Sequence, residues 1–217
     1  MNELWTYLEA NWTQIRGWTL TTLWLAAVPV MAGLVLALPC GWLAHRYRWA
    51  HGPFVSAMSI VYTVPSLVMF LVLPELLGTK ILDPVNVVAA LTLYTFALLV
   101  RTVADGLASV PAHTLATAAA MGHTARQQLL SVQLPLAVPV IGAGVRVAAV
   151  SNASLVSVAS VVGTSQLGQL FIAGNNVGSL APIILGLVFF VTIALAFDLI
   201  IVIITRLLTP WHKAVAS

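Results

Sequence analysis

The sequence predicts an all-α polytopic membrane protein of about five transmembrane helices, and three observations carry that expectation. Charged residues make up 7% of the 217 and hydrophobic residues 60%, whereas a soluble domain needs about 25% charge to face water. The apolar residues fall in long runs, and about 20 in a row cover the ~30 Å hydrocarbon layer. Basic residues gather on alternate connections, as they do in the loops of a chain threaded through a bilayer.

The runs extend from Thr19 to Ala44, Pro53 to Leu77, Val85 to Val103, Leu136 to Val162 and Leu180 to Leu208. Several exceed the minimum length, which allows tilt. Residues 1–18 contain Glu3, Glu9 and several aromatics but no basic start or short apolar core. They are expected to stay on the chain as an amino-terminal interfacial segment rather than act as a cleaved signal. Trp5, Trp12, Trp18 and Trp24 cluster near the entry to the first span, where indole rings anchor at the headgroup layer.

Orientation follows from Lys and Arg. Arg46, Arg48, Arg101, Arg126, Arg206 and Lys213 lie on one side, with His45 and His51 beside the first two. Arg16 and Lys80 lie on the other, and residues 163–178 carry no charge. The basic side is cytoplasmic, so the amino terminus is outside and the carboxyl terminus inside, with residues 209–217 as a cytoplasmic tail. The net charge of +3 is thus a matter of loop placement. Scattered basic residues make no stripe for a nucleic acid, and no nucleic-acid partner is expected. Lone Cys40 cannot form a disulfide framework and reads as a small buried hydrophobe.

Residues 111–135 do not fit a plain bundle. Pro111 suits a first helical turn, and His113 to Met121 is rich in Ala. Gly122 permits a left-handed residue that closes a helix. Thr124 and Gln127 have capping-box spacing for a second helix, expected to end by Pro135. Two short helices joined at glycine are therefore expected on the cytoplasmic face. Ala118, Ala119 and Ala120 would let another surface come close, and a connecting loop is the simpler alternative.

This block resembles the cytoplasmic signature of binding-protein-dependent ABC importer permeases, which runs Glu-Ala-Ala, a Gly, then nine residues, an aliphatic, one residue, and Leu-Pro. Gly122, Val132, Leu134 and Pro135 match it at that spacing, while Ala116 stands where the Glu would be, followed by Thr117 and Ala118. Four further stretches resemble the osmoprotectant branch. Tyr62-Thr63-Val64-Pro65-Ser66-Leu67 is similar to its Gln-Thr-Ile-Pro-Ser-Leu, with Tyr62 replacing Gln. Leu93-Tyr94-Thr95 with Arg101 is similar to its Leu-Tyr-Ser stretch, with Leu98 replacing a Pro. Pro135 to Ile141, then Gly144 and Arg146, follow its Pro-Leu-Ala-Leu-Pro-Val-Ile and Gly-Ile-Arg. Gly163 with Leu167-Gly168 is similar to its glycine-rich turn, with Thr164, Ser165 and Gln166 in the middle.

The resemblance implies a type I ABC importer permease plan and uptake of glycine betaine, choline, carnitine or a related compound. It implies that Ala116, Thr117, Ala118, Ala119, Met121, Gly122, His123, Thr124, Gln127, Leu134 and Pro135 form a coupling segment seated on an ATPase. The partners it implies are two ATPase subunits, a second permease half, identical or related, and an extracytoplasmic solute-binding protein. A methionine-type permease is the alternative cargo reading, and a passive channel the alternative class. The chain has no GxxxxGK[ST] loop, so ATP and Mg²⁺ are expected on the partner. Its five His lack metal-ligand spacing. No metal, cofactor or catalytic site is expected in this chain.

Residues expected along the pathway or gate are Tyr62, Pro65, Ser66, Ser151, Asn152, Ser154, Gly163, Gln166 and Gly168. Pro65 interrupts the ladder of the second span, which is tolerated where neighbours satisfy the backbone. Gly142, Gly144, Ser151, Asn152 and Ser154 give the fourth span a small, polar face that serves either close packing or a pore. Residues 163–178 read as a re-entrant gate or a plain turn. Arg146 and Asp198 are charges within spans, which tend to face inward and pair. Arg146 is expected to pair with Asp198 or Asp105, as a brace or a gate.

Overall fold

The computed structural model describes residues 2–211. Met1 and residues 212–217, with Lys213 and most of the expected tail, lie outside the described residues. Helices α1 (Asn2–Arg46), α4 (Pro84–Ala108), α7 (Leu134–Val158) and α9 (Leu180–Leu208) are long and apolar enough to cross a membrane. Helices α2 (Arg48–Thr63) and α3 (Ser66–Leu77) form a pair that makes a fifth crossing when counted as one broken span.

The ends of these helices follow local chemistry. Asp83 accepts from the Val85 N–H at 3.0 Å, and Pro84 supplies the pre-set backbone of a first turn. Ser179 caps α9 through the Ala181 N–H. Gly78 and Gly178 close α3 and α8 (Gln169–Val177) in the left-handed conformation.

No boundary falls at residue 18. Helix α1 is 45 residues long, about 67 Å at ~1.5 Å per residue and about twice the hydrocarbon thickness. Its amino-terminal part packs Ile15 into a cluster with Leu25, Phe70, Leu91, Leu167, Leu170 and Phe190. Trp5, Trp12 and Trp24 stay exposed. A second cluster joins Val30 and Ala37 of α1 to Leu99, Val100 and Val103 of α4 and Ile141 and Val145 of α7. Helix α4 enters both clusters and is the axis of the bundle.

The α1–α4 contact depends on small residues at four-residue spacing, Gly33, Ala37 and Gly41, which bring the backbones together. A Cβ on Gly33 would lie 2.5 Å from Thr95 Cγ2, and one on Gly41 2.6 Å from Val103 Cβ.

Where the sequence predicts one second span, the structure has a bend of 102° between α2 and α3. Proline disfavours the helical conformation of the residue before it. Val64 and Pro65 are accordingly both extended, with ψ of 131° and 132°.

The expected stop at Pro135 is absent. A π-helical turn, Leu129–Gln133, leads directly into α7, and Leu134 N–H donates to the Leu129 carbonyl. Pro135 has no N–H to give and its ring crowds the preceding turn. The wider turn takes up that mismatch, and the helix continues. Residues 163–178 are more than a turn, because α8 occupies most of them.

Candidate functional site

The two short helices expected between the third and fourth spans are present as α5 (Ala112–Ala120) and α6 (Ala125–Gln128). Gly122 has φ +86°, and its N–H donates to the Ala119 carbonyl at 2.9 Å. The capping box is complete: Thr124 N–H donates to Gln127 Oε1 at 2.8 Å, and Gln127 N–H to Thr124 Oγ1 at 3.4 Å. Ala118 is buried, while Ala116, Thr117, Ala119, Met121, Gly122, Thr124 and Gln127 are exposed. His123 is half-buried, and its carbonyl accepts from Gln128 Nε2. Leu134 and Pro135 are half-buried at the root of α7.

The main contacts of α5 are with α6 and the π turn rather than with the spans. This gives α5 a face of mostly small side chains, with exposed Met121 and Arg126 following it, held away from the bundle by two capped helix ends. A second protein can approach such a face closely.

The elbow is tied to the bundle at Gln133, which the sequence reading did not single out. Its amide is buried, donates to the Leu107 carbonyl at 3.2 Å and lies 3.0 Å from His45 Nε2. One side chain thus joins the root of the elbow to the ends of α4 and α1. Its only sequence signal is a lone amide among aliphatic residues.

A cleft of about 290 Å³ opens where α2 breaks from α3. Tyr62, Ser66, Ser151 and Ser154, named from sequence, line it together with Val64, Tyr94 and Leu155. Four of the expected pathway residues therefore meet at one place, and none of the lining side chains is charged. Pro65 is exposed at the break. Tyr94 was not selected from sequence, yet it organises the cleft. Its hydroxyl donates to the Val64 carbonyl at 2.6 Å, satisfying a group that the break removes from the helix. Its ring meets Tyr62 edge to face, with centroids 5.9 Å apart and planes at 86°.

Other expected residues lie elsewhere. Asn152 is buried, and its amide donates to Thr95 Oγ1 at 2.9 Å, joining α7 to α4. Gly142 and Gly144 abut Thr205 and Thr102. The polar face of the fourth span thus divides between packing and cleft. Gln166 is fully buried in the outer turn, where its amide donates to the Val156 carbonyl at 2.9 Å and accepts from the Gly168 N–H at 2.6 Å. Gly163 has φ +88°. The same turn is held to α1 by the Leu167 N–H, which donates to the buried Thr22 hydroxyl at 3.0 Å.

Arg146 pairs with Asp198 through two hydrogen bonds, at 2.7 and 2.9 Å. Asp105 instead faces Arg101 at 3.6 Å. The expectation that these two charges are buried within the chain needs correction, because the Arg146 and Asp198 side chains are 44% and 31% exposed. They lie on the flank that α7 and α9 present to the outside of this chain.

A helical bundle with several crossings, a cytoplasmic elbow and an uncharged cleft at a broken helix defines the class: a membrane permease. The sequence matches the profile of the binding-protein-dependent transport system inner membrane component over residues 30–211. The chain belongs to that family, the permeases of ATP-binding cassette importers, and is an inner-membrane component. It is 30% identical to the osmoprotectant import permease protein OsmW of Salmonella typhimurium, over 94% of this chain and 96% of that one. It is 28% identical to the glycine betaine/carnitine/choline transport system permease protein OpuCB of Bacillus subtilis, over 97% and 95%. Among solved structures, the inward-facing MetNI methionine ABC transporter has a chain that superposes with a TM-score of 0.82 at 20% identity, covering 93% of this chain and 99% of that one. That likeness concerns the fold alone.

Proposed function

We propose that this permease carries an osmoprotectant of the glycine betaine, choline or carnitine kind, driven by two ATPase subunits and supplied by an external solute-binding protein. The observation that carries the coupling role is the elbow, residues 111–135, whose α5 face of small side chains stands off the bundle on capped helices. ATP and its Mg²⁺ belong to the ATPase partner. Residues Ala116 to Gln127 give that partner a surface, and Gln133 passes its movement to α1 and α4.

A second permease half is supported by the Arg146–Asp198 pair. Charged groups at membrane depth face protein or water rather than lipid, so this half-exposed flank belongs at the centre of a two-half assembly. The cleft at Tyr62 and Ser154 is then part of the pathway. The cargo reading draws on the relatives that cover nearly the whole chain and are named for osmoprotectants. The methionine alternative draws only on shared fold.

The test is ATP-driven uptake by the assembled transporter in proteoliposomes, using labelled glycine betaine, choline, carnitine and methionine. Uptake confined to methionine would overturn the cargo reading, and flux without the ATPase would favour a channel. Gly122→Pro tests the elbow, because proline fixes φ near −65° where the chain needs +86°. Uptake is expected to be lost while insertion and yield persist, and unchanged uptake removes the coupling role.

A further inference from the structure

The geometry points to Tyr62 as a specificity-determining residue within the membrane, a single aromatic face that holds a quaternary ammonium head during passage, with Tyr94 as its positioning residue. The inference rests on the pathway reading of the cleft.

Three observations carry it. Tyr62 is 40% exposed and lines the cleft, while Tyr94, against which it stands edge to face, is 3% exposed. Tyr62 therefore has surface open to whatever enters, and Tyr94 has almost none. The Tyr94 hydroxyl is engaged by the Val64 carbonyl, which fixes the break and so the place of the last turn of α2, where Tyr62 sits. No lining residue carries a charge, so a cation entering the cleft meets an aromatic face and serine hydroxyls but no carboxylate.

The chemistry suits a head group with no N–H. A quaternary ammonium cannot donate a hydrogen bond, and its attraction to protein comes from the negative face of an aromatic ring. A cleft of about 290 Å³ lies just below the usual range for drug-sized ligands, about 300–1,000 Å³, and suits a smaller head group. One face without a carboxylate also makes a weak station. A pathway needs that weakness, because binding must favour entry without preventing exit. Replacing the ring is expected to slow cationic solutes about two- to thirtyfold, the range for one cation–π contact from exposed to desolvated.

The test is made on the assembled transporter with labelled choline and glycine betaine as probes. Phenylalanine and its mono-, di- and trifluorinated forms are placed at position 62, since fluorine drains the ring face without changing its shape. The maximal uptake rate of both solutes is expected to fall stepwise with fluorination, while solute-free ATP hydrolysis stays level. Tyr94→Phe is expected to flatten that slope, because the break no longer holds ring 62 over the cleft. A general loss of fold would instead lower every member of the series equally. A flat series at full uptake overturns the aromatic station and leaves the permease reading intact. Uptake restricted to solutes without a cationic head overturns both the station and the cargo reading.

Discussion

Gly41→Ala measures how much of this fold depends on the close approach of α1 to α4. The added Cβ would sit 2.6 Å from Val103 Cβ, 2.7 Å from Val103 Cγ1 and 2.9 Å from the Val100 carbonyl oxygen. Carbon contacts are comfortable at about 3.5–4.0 Å, so the helices must separate by about 1 Å. Val103 cannot turn aside easily because a β-branched side chain has one strong rotamer in a helix. The carbonyl belongs to the backbone of α4 and cannot turn at all. Overpacking of this kind costs about 2–3 kcal/mol, in the upper part of its usual range. Alanine returns up to about 1 kcal/mol through helix propensity. The net loss is about 1–2 kcal/mol, a fall of about 5- to 30-fold in the folded ratio. Gly17→Ala is the matched control on the same helix, since nothing lies within 4 Å of its Cβ position, and it is expected to be neutral or slightly stabilising. Denaturant titration of the purified permease in lipid–detergent micelles reads both. If Gly41→Ala proved as stable as Gly17→Ala, the close packing of these helices would not be what holds α1 in place.

Further substitutions address two long-range pairs. Arg146→Gln and Asp198→Asn are each expected to lower the melting temperature. The double variant should fall by less than their sum, because each single change leaves one charge within the membrane unpaired; strict additivity would refute the pairing. Thr22→Val removes the acceptor of the buried Leu167 N–H and is expected to cost about 1–3 kcal/mol, measured as a thermal shift. Thr21→Val, whose exposed hydroxyl only bonds back to Gly17 of its own helix, should change little, and equal shifts for the two would remove the tie between α1 and the outer turn.

The amino-acid sequence by itself determined the features whose energies add up over neighbouring residues. Transfer of apolar side chains into hydrocarbon sums along a run, so α9 was legible to both ends and α4 to all but its more polar last turn. Capping is also local, so Thr124 with Gln127 and the left-handed Gly122 could be read from a few positions. Tertiary structure decided what depends on distance between segments far apart in sequence. Pro65 marks the break, but the 102° between α2 and α3 is not written in the local residues, and the Tyr94 hydroxyl that satisfies Val64 lies thirty residues away. Gln133 has meaning only when Leu107 and His45 surround it. Asn152 and Ser151 are adjacent and similarly polar, yet one is buried against Thr95 and the other faces the cleft. Rotation about a helix axis separates them, and that rotation is fixed by how closely glycine lets neighbouring backbones approach.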